Sequence, residues 1–254
     1  MPEVLKISTS QFESLNSLKL KDEISNGKII IVEDYFPSDL LSFIESKIKV
    51  LNQDDPTWMA LDDNCVDYHR INDEYAKSFV KAKTHSFMFH FYKDMNKDLL
   101  EKTNFLWQKK MDWRNVSDSE RSKYMSAKPS DGYIPRLVSH LYPSGGGYLS
   151  KHSDPSNENN VLQTLIVGSQ RGKDFETGGL KVYSKNDDSN LNVEDFLNKG
   201  DMVMFDQSFD HEVLPIDANK ELDWNSLKGK LSHILLFTRS DYIKGEVADV
   251  VSKI

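Results

Sequence analysis

With 254 residues, 38% of them hydrophobic and 28% charged, the chain is long enough to bury a substantial core and has the composition of an ordinary globular protein. Its formal net charge of −8 speaks against nucleic-acid binding, which depends on Lys and Arg neutralising phosphates. A single cysteine, Cys65, rules out an internal disulfide framework and a thiolate metal cluster, and fits a reducing compartment.

No apolar run approaches the length of a membrane span, and the first residues lack the basic and apolar regions of a leader, so the expectation is a cytoplasmic protein without a membrane partner. The terminal Ser252-Lys253-Ile254 only approximates the peroxisomal Ser-Lys-Leu address.

In chain order, the β-branched run Ile29-Ile30-Ile31-Val32 reads as a buried strand. From Ser38 to Ile48, apolar residues at helical spacing predict a helix with Ser38 as its N-cap. Residues 54–72 read as a long polar loop, either surface or lid, with Trp58, Met59, His69 and Arg70 scattered in it. Helical patterns are expected between Glu74 and Trp113, where Phe87, Phe89, Phe91, Tyr92, Leu99, Leu100, Phe105 and Leu106 read as core packing. The polar stretch from Asn115 to Gly132 is the expected boundary between an N-terminal part, 1–132, and a second part, 133–254, within one globular unit.

Beyond Tyr133 come short apolar runs separated by Gly, Asp and Asn. They are Arg136 to Tyr142, Tyr148 to His152, Val161 to Val167, Leu180 to Tyr183, Met202 to Phe205, Glu212 to Ile216 and Leu231 to Thr238. Short strands spaced this way predict an antiparallel sandwich or jelly roll, with the earlier helices packed outside one sheet.

Chemistry concentrates at His152-Ser153-Asp154. On a strand, residues two apart share a face, so the imidazole and the carboxylate point the same way. A second histidine, His211, follows the strand-like Met202 to Phe205 and opens the next one. Two imidazoles and one carboxylate on one face leave adjacent coordination positions open, a set suited to Fe(II) rather than to structural zinc. His69, His85, His90 and His233 lack a carboxylate in a comparable setting and read as structural.

From Leu137 to Arg239 the chain resembles the iron(II)- and 2-oxoglutarate-dependent oxygenases, in particular their prolyl-hydroxylase-like branch. The matching text is Tyr142-Pro143-Ser144-Gly145-Gly146-Gly147-Tyr148-Leu149 leading to His152-Ser153-Asp154, then Phe175-Glu176-Thr177-Gly178-Gly179-Leu180, then Gly200-Asp201 through to His211-Glu212-Val213. The strand, turn and helix from Ile29 to Ile48 also resemble the segment that commonly precedes this domain. The resemblance implies a mainly β protein with an α/β N-terminal part, built on a double-stranded β-helix (a jelly roll of cupin type) flanked by helices.

It also implies Fe(II) held by His152, Asp154 and His211, with 2-oxoglutarate and O2 as cosubstrates, and release of succinate and CO2. In that family a basic residue at the start of the last core strand holds the far carboxylate of 2-oxoglutarate, about ten residues after the second histidine. Here residues 217–226 look like an insertion, and the resemblance places Lys230 at the basic position with Ser232 two residues on. Arg239, an odd number of residues further along, competes for the role. Tyr142 and Tyr148 are candidates to hydrogen-bond the cosubstrate, and Arg136 and His140 to meet substrate, although structural roles are equally open for these four.

The retained Asp154 favours hydroxylation, since related halogenases carry a small residue there. The expected substrate is a small polar molecule, an amino acid or natural-product intermediate. The alternatives are a peptide or protein side chain, or a cupin-like protein that binds a metal or small molecule without redox chemistry.

Overall fold

The computed structural model describes residues 2–52, 63, 68–71, 80–112, 125–154, 162–185, 187 and 189–239. Cys65, Trp58, Met59, the loop after Asp154, most of the 54–72 and 115–132 segments and the C-terminal tripeptide lie outside the described residues.

The chain begins with strand β1 (Glu3–Ser8), helices α1 (Thr9–Ser14) and α2 (Ser17–Ser25), strand β2 (Lys28–Glu33) and helix α3 (Ser38–Leu51). Ser8 caps α1 through a reciprocal capping box with Gln11. Ser38 has already entered the helix, so Pro37 is the N-cap of α3, and its ring has no acceptor with which to make a side-chain cap bond. Leu40, Leu41, Ile44, Ile48 and Leu51 are the buried stripe of α3, spaced to place one apolar face on the sheet.

After β3 (Tyr68–Ile71) comes β4 (Ala82–His90), where a helical pattern was expected. The correction has a simple cause: Phe87, Phe89 and Phe91 alternate with period two, and a strand buried on both faces loses the polar alternation that would mark it. Their expected place in the core stands, for all three are buried. Helix α4 (Lys97–Asp112) buries Leu99, Leu106 and Trp107, whereas Phe105 is 38% exposed and lies against the rings of Tyr35 and Phe36.

The remaining strands are β5 (Tyr133–Pro143), β6 (Gly147–His152), β7 (Leu162–Val167), β8 (Gly179–Tyr183), β9 (Asn190–Asn192), β10 (Met202–Asp206), β11 (His211–Ile216) and β12 (Gly229–Arg239). All seven strands expected after Tyr133 are present, and the short β9 adds to them.

One layer runs β1-β2-β10-β7-β12-β5-β4 and the other β6-β11-β8-β9, joined where β4 pairs with both β5 and β6. Neighbours after Tyr133 are antiparallel, and the chain alternates between the layers as a double-stranded β-helix does. Strand β2 of the N-terminal part extends the first layer by pairing with β10, so the layer continues across both halves of the chain.

The long β5–β12 ladder sets the faces. Leu137, Leu141, Leu231 and Leu235 join the helices α3 and α4 in one outer core. Arg136, Val138, His140 and Tyr142 alternate with them and, with Lys230 and Ser232 across the ladder, line the interior between the layers. A second cluster, including Ile29, Ile31, Val167, Val182, Val203 and Phe205, fills the rest of that interior. Among the described residues no helix is long and apolar enough to cross a membrane.

Three imidazoles sit in or near these cores with depressed pKa values. Loss of hydration, reinforced by the Arg70 charge, brings His85 down to about 4. The same loss, with Lys199 and His140 adding to it, takes His233 to about 3, where its Nδ1 meets Ser139 Oγ at 2.7 Å. Loss of hydration first, then the Arg136 charge, lowers His140 to about 4. All three are neutral near pH 7, in keeping with the structural reading of His85 and His233.

Candidate metal centre

His152 ends β6 and His211 opens β11, and the two are register partners in the antiparallel ladder, so the topology alone brings the imidazoles side by side. Their ring centroids are 4.4 Å apart. The ladder shifts register after His211, a bulge of the kind that re-aims side chains near functional sites. Asp154 follows two residues after His152, its backbone N–H donating to Gln207 O at 3.2 Å, which ties it to the turn that leads into His211.

The side chains converge. Asp154 Oδ1 is 3.6 Å from His152 Nε2, and Oδ2 is 3.7 Å from His211 Nε2. One ligand atom from each residue lies within 4.8 Å of the others. Each Nδ1 is placed to donate to a backbone carbonyl two residues earlier, His152 to Ser150 O at 2.8 Å and His211 to Phe209 O at 3.0 Å. That selects the tautomer in which Nε2 keeps its lone pair and faces the shared centre, the orientation that outer hydrogen bonds give metal-binding imidazoles.

Burial pushes the Asp154 carboxyl up, but its interactions with His152 and His211 more than reverse this, so it lies below its ordinary range. Burial holds His211 below its usual value, and the Asp154 charge only partly opposes this. The donor set at neutral pH therefore includes an anionic oxygen and a neutral imidazole. It suits a borderline divalent cation such as Fe(II), and the 20% exposure of the Asp154 side chain leaves one side open.

Of the other expected residues, Tyr142 packs with Phe175, Val213, Ile216 and Leu149. Burial and the Asp154 charge push its hydroxyl well up, so it stays a protonated phenol able to donate. Tyr148 precedes Leu149 on β6 and by strand alternation takes the opposite face. His140 is near enough to Asp154 and His152 to interact with both, and its Nδ1 meets Ser86 Oγ at 2.9 Å. Arg136 is buried at 3% exposure on the same face of β5.

Lys230 is buried beside Tyr142 in the ladder, its ammonium 2.7 Å from Glu194 Oε2, and Ser232 is buried across from His140. The backbone of Arg239 pairs with Tyr133 at the far end of the same unbroken register. A separate cleft of about 630 Å3, lined by Lys49, Lys173, Lys199, Lys220 and Lys228, also touches Leu141 and Leu231 and so opens on the outer face of the sheet, away from the triad.

Similarity to solved structures decides the family of folds. The chain matches a Pseudomonas putida prolyl-4-hydroxylase over 89% of its own length and 99% of that protein, at 12% identity and a TM-score of 0.52. The chain has the fold of the iron(II)- and 2-oxoglutarate-dependent oxygenases. Two further oxygenase-fold structures agree. A Trichoplax adhaerens prolyl hydroxylase, solved with a hypoxia inducible factor peptide, matches over 97% of both chains at 14% identity and a TM-score of 0.50. JOX2, solved with 2OG, Fe and JA, matches over 96% of this chain and 77% of that one, at 9% identity and a TM-score of 0.52. No family model matches the sequence, and no curated protein matches it.

Two residues escaped the sequence reading. Glu194 sits in a short 3-10 turn, Val193–Phe196, with no local pattern to mark it. Its only advance signal is the Gly178-Gly179 pair, which betrays a close approach by something. Asp217, read as the start of an insertion, is fully buried with a φ of 44°.

Proposed function

We propose that the chain is an Fe(II)- and 2-oxoglutarate-dependent dioxygenase that hydroxylates an unactivated C–H bond of a small polar molecule, an amino acid or a natural-product intermediate. The observation that carries this reading is the triad: two Nε2 lone pairs and one carboxylate converging at the end of the β6–β11 ladder of an oxygenase fold. We also propose that residues 133–254 form the catalytic core, since the triad and Lys230 all lie there, and that residues 1–132 support it.

His152, Asp154 and His211 would hold the iron. Bound there, ferrous iron with O2 and 2-oxoglutarate supplies the oxidising chemistry, with succinate and CO2 as co-products. The chain's own part is positioning and exclusion of water. Tyr142 offers a phenolic proton to the cosubstrate, while Lys230 and Ser232 present an ammonium and a hydroxyl on one strand face for its far carboxylate. Tyr148 and Arg239 are secondary candidates for the same ligand.

Arg136 and His140 share the interior face of β5 with Tyr142, and a buried guanidinium there supports a substrate that carries a carboxylate.

The test is succinate release from 2-oxoglutarate under air with Fe(II), across free amino acids, related organic acids and short peptides. Stimulation by small acids is expected. Stimulation by peptides alone would shift the reading to a peptide hydroxylase, and no succinate across the panel would leave a non-redox binding protein. With an acidic substrate in hand, Arg136→Met is expected to raise KM roughly 10- to 100-fold, the loss of one charge-assisted hydrogen bond, with a smaller change in kcat.

A further inference from the structure

The ammonium that the fold offers to a cosubstrate already has a carboxylate on it. Lys230 Nζ lies 2.7 Å from Glu194 Oε2, and the two side chains are 3% and 1% exposed. The same oxygen accepts the Leu180 backbone N–H at 2.8 Å. Val193, next to Glu194, is fully buried in the interior cluster and anchors the turn. Next to that N–H stands Gly179, with φ at +122°, where a Cβ would fall 2.4 Å from Glu194 Cγ and 2.7 Å from Oε2. Glycine at that position makes the room that Glu194 occupies, so its side chain is seated against the Gly179-Leu180 backbone.

The pair also faces the same interior as the triad. Lys230 is the ladder partner of Tyr142, whose hydroxyl senses the Asp154 charge. Phe175, packed against Tyr142 and Val213, has its ring centroid 5.9 Å from the ammonium. A ligand reaching from the triad along Tyr142 therefore ends at a neutral pair, not at a lone cation. A second carboxylate brought there would share Lys230 with Glu194 and meet its charge in a poorly hydrated site, where like charges repel strongly.

We infer that Glu194 is a specificity-determining residue: it competes with the distal carboxylate of a dicarboxylic 2-oxo acid for Lys230, and so penalises 2-oxoglutarate relative to 2-oxo acids that lack that carboxylate. The inference rests on the function proposed above. Glu194 would set the balance between dicarboxylic and monocarboxylic cosubstrates through one internal carboxylate.

The experiment is titration calorimetry on the full chain loaded with Mn(II), using 2-oxoglutarate and 2-oxovalerate, which has the same carbon chain without the distal carboxylate. Glu194→Gln keeps an acceptor for the Leu180 N–H and removes the charge. Its affinity for 2-oxoglutarate should rise at least tenfold while that for 2-oxovalerate stays within about threefold, the difference being one charge interaction. An unchanged 2-oxoglutarate affinity, or equal gains for both ligands, overturns the inference and leaves the function standing.

If neither 2-oxo acid binds either metal-loaded protein, the proposed function itself fails and the inference with it. A double variant, Glu194→Gln with Lys230→Met, removes both charges, and retained 2-oxovalerate binding reports that each variant is folded. Its affinity for 2-oxoglutarate should fall at least tenfold below that of Glu194→Gln, because no ammonium is left to receive the distal carboxylate. A double variant that keeps the 2-oxoglutarate gain of the single one would show that the gain does not run through Lys230 and would overturn the inference.

Discussion

Asp154→Ala is expected to lower metal affinity by more than about 100-fold, because losing a mere outer-shell partner of a ligand already costs 10- to 100-fold and Asp154 is the one carboxylate in the set. Succinate release should fall with it to background. Metal retained after dialysis against a chelator, measured beside 2-oxoglutarate turnover, checks both parts. The fold should survive, since the Asp154 side chain is 20% exposed and is held by the two histidines rather than by the core. Wild-type metal content in the variant would remove Asp154 from the centre and with it the triad.

Asp217→Ala is the largest expected loss of stability. One carboxylate oxygen accepts the backbone N–H groups of Glu176 at 2.8 Å and Thr177 at 2.9 Å. The other accepts Ser144 Oγ at 2.8 Å and Lys220 Nζ at 2.9 Å. This single buried anion ties the β11–β12 loop to the turn before β8 and to the turn between β5 and β6. Removing it leaves several donors without an acceptor, and we expect a loss of about 3–5 kcal/mol and a fall in Tm of roughly 10 °C, read by urea and thermal unfolding.

Burial raises the carboxyl, but Lys220 and the backbone donors overcome it and bring its pKa to about 2 from 3.8. A depressed folded value means that its contribution is complete above about pH 4 and is lost as pH falls through about 2, so the gap between wild type and variant should close in strong acid.

The readable and unreadable parts of the chain divide along physical lines. Strands β5 to β8 and β10 to β12 could be read because each is a short apolar run ended by Gly, Asp or Asn. Strand β4 was masked by burial on both faces. His152, Asp154 and His211 could be read because strand alternation puts the first two on one face and a recognisable strand precedes the third. Lys230 was legible as an interior residue by its phase on β12, but its partner was not. Glu194 lies 36 residues earlier in a four-residue turn, and only the tertiary fold brings the two together. Long-range pairing of single charges leaves no periodicity for a sequence to display.

The interior imidazoles make unfolding a proton-uptake reaction. In the native state His85 and His140 bind a proton only near pH 4 and His233 near pH 3, whereas in the open chain each does so near 6.5. Between those limits the unfolded form holds more protons, and by linkage every unit of acidification below about 6.5 favours it, with up to three groups acting together. These imidazoles thus leave the fold at full strength near neutrality and weaken it as pH falls below about 6.5. Mild acid and urea should act on it cooperatively, so the urea midpoint of unfolding should fall between pH 7 and about pH 5.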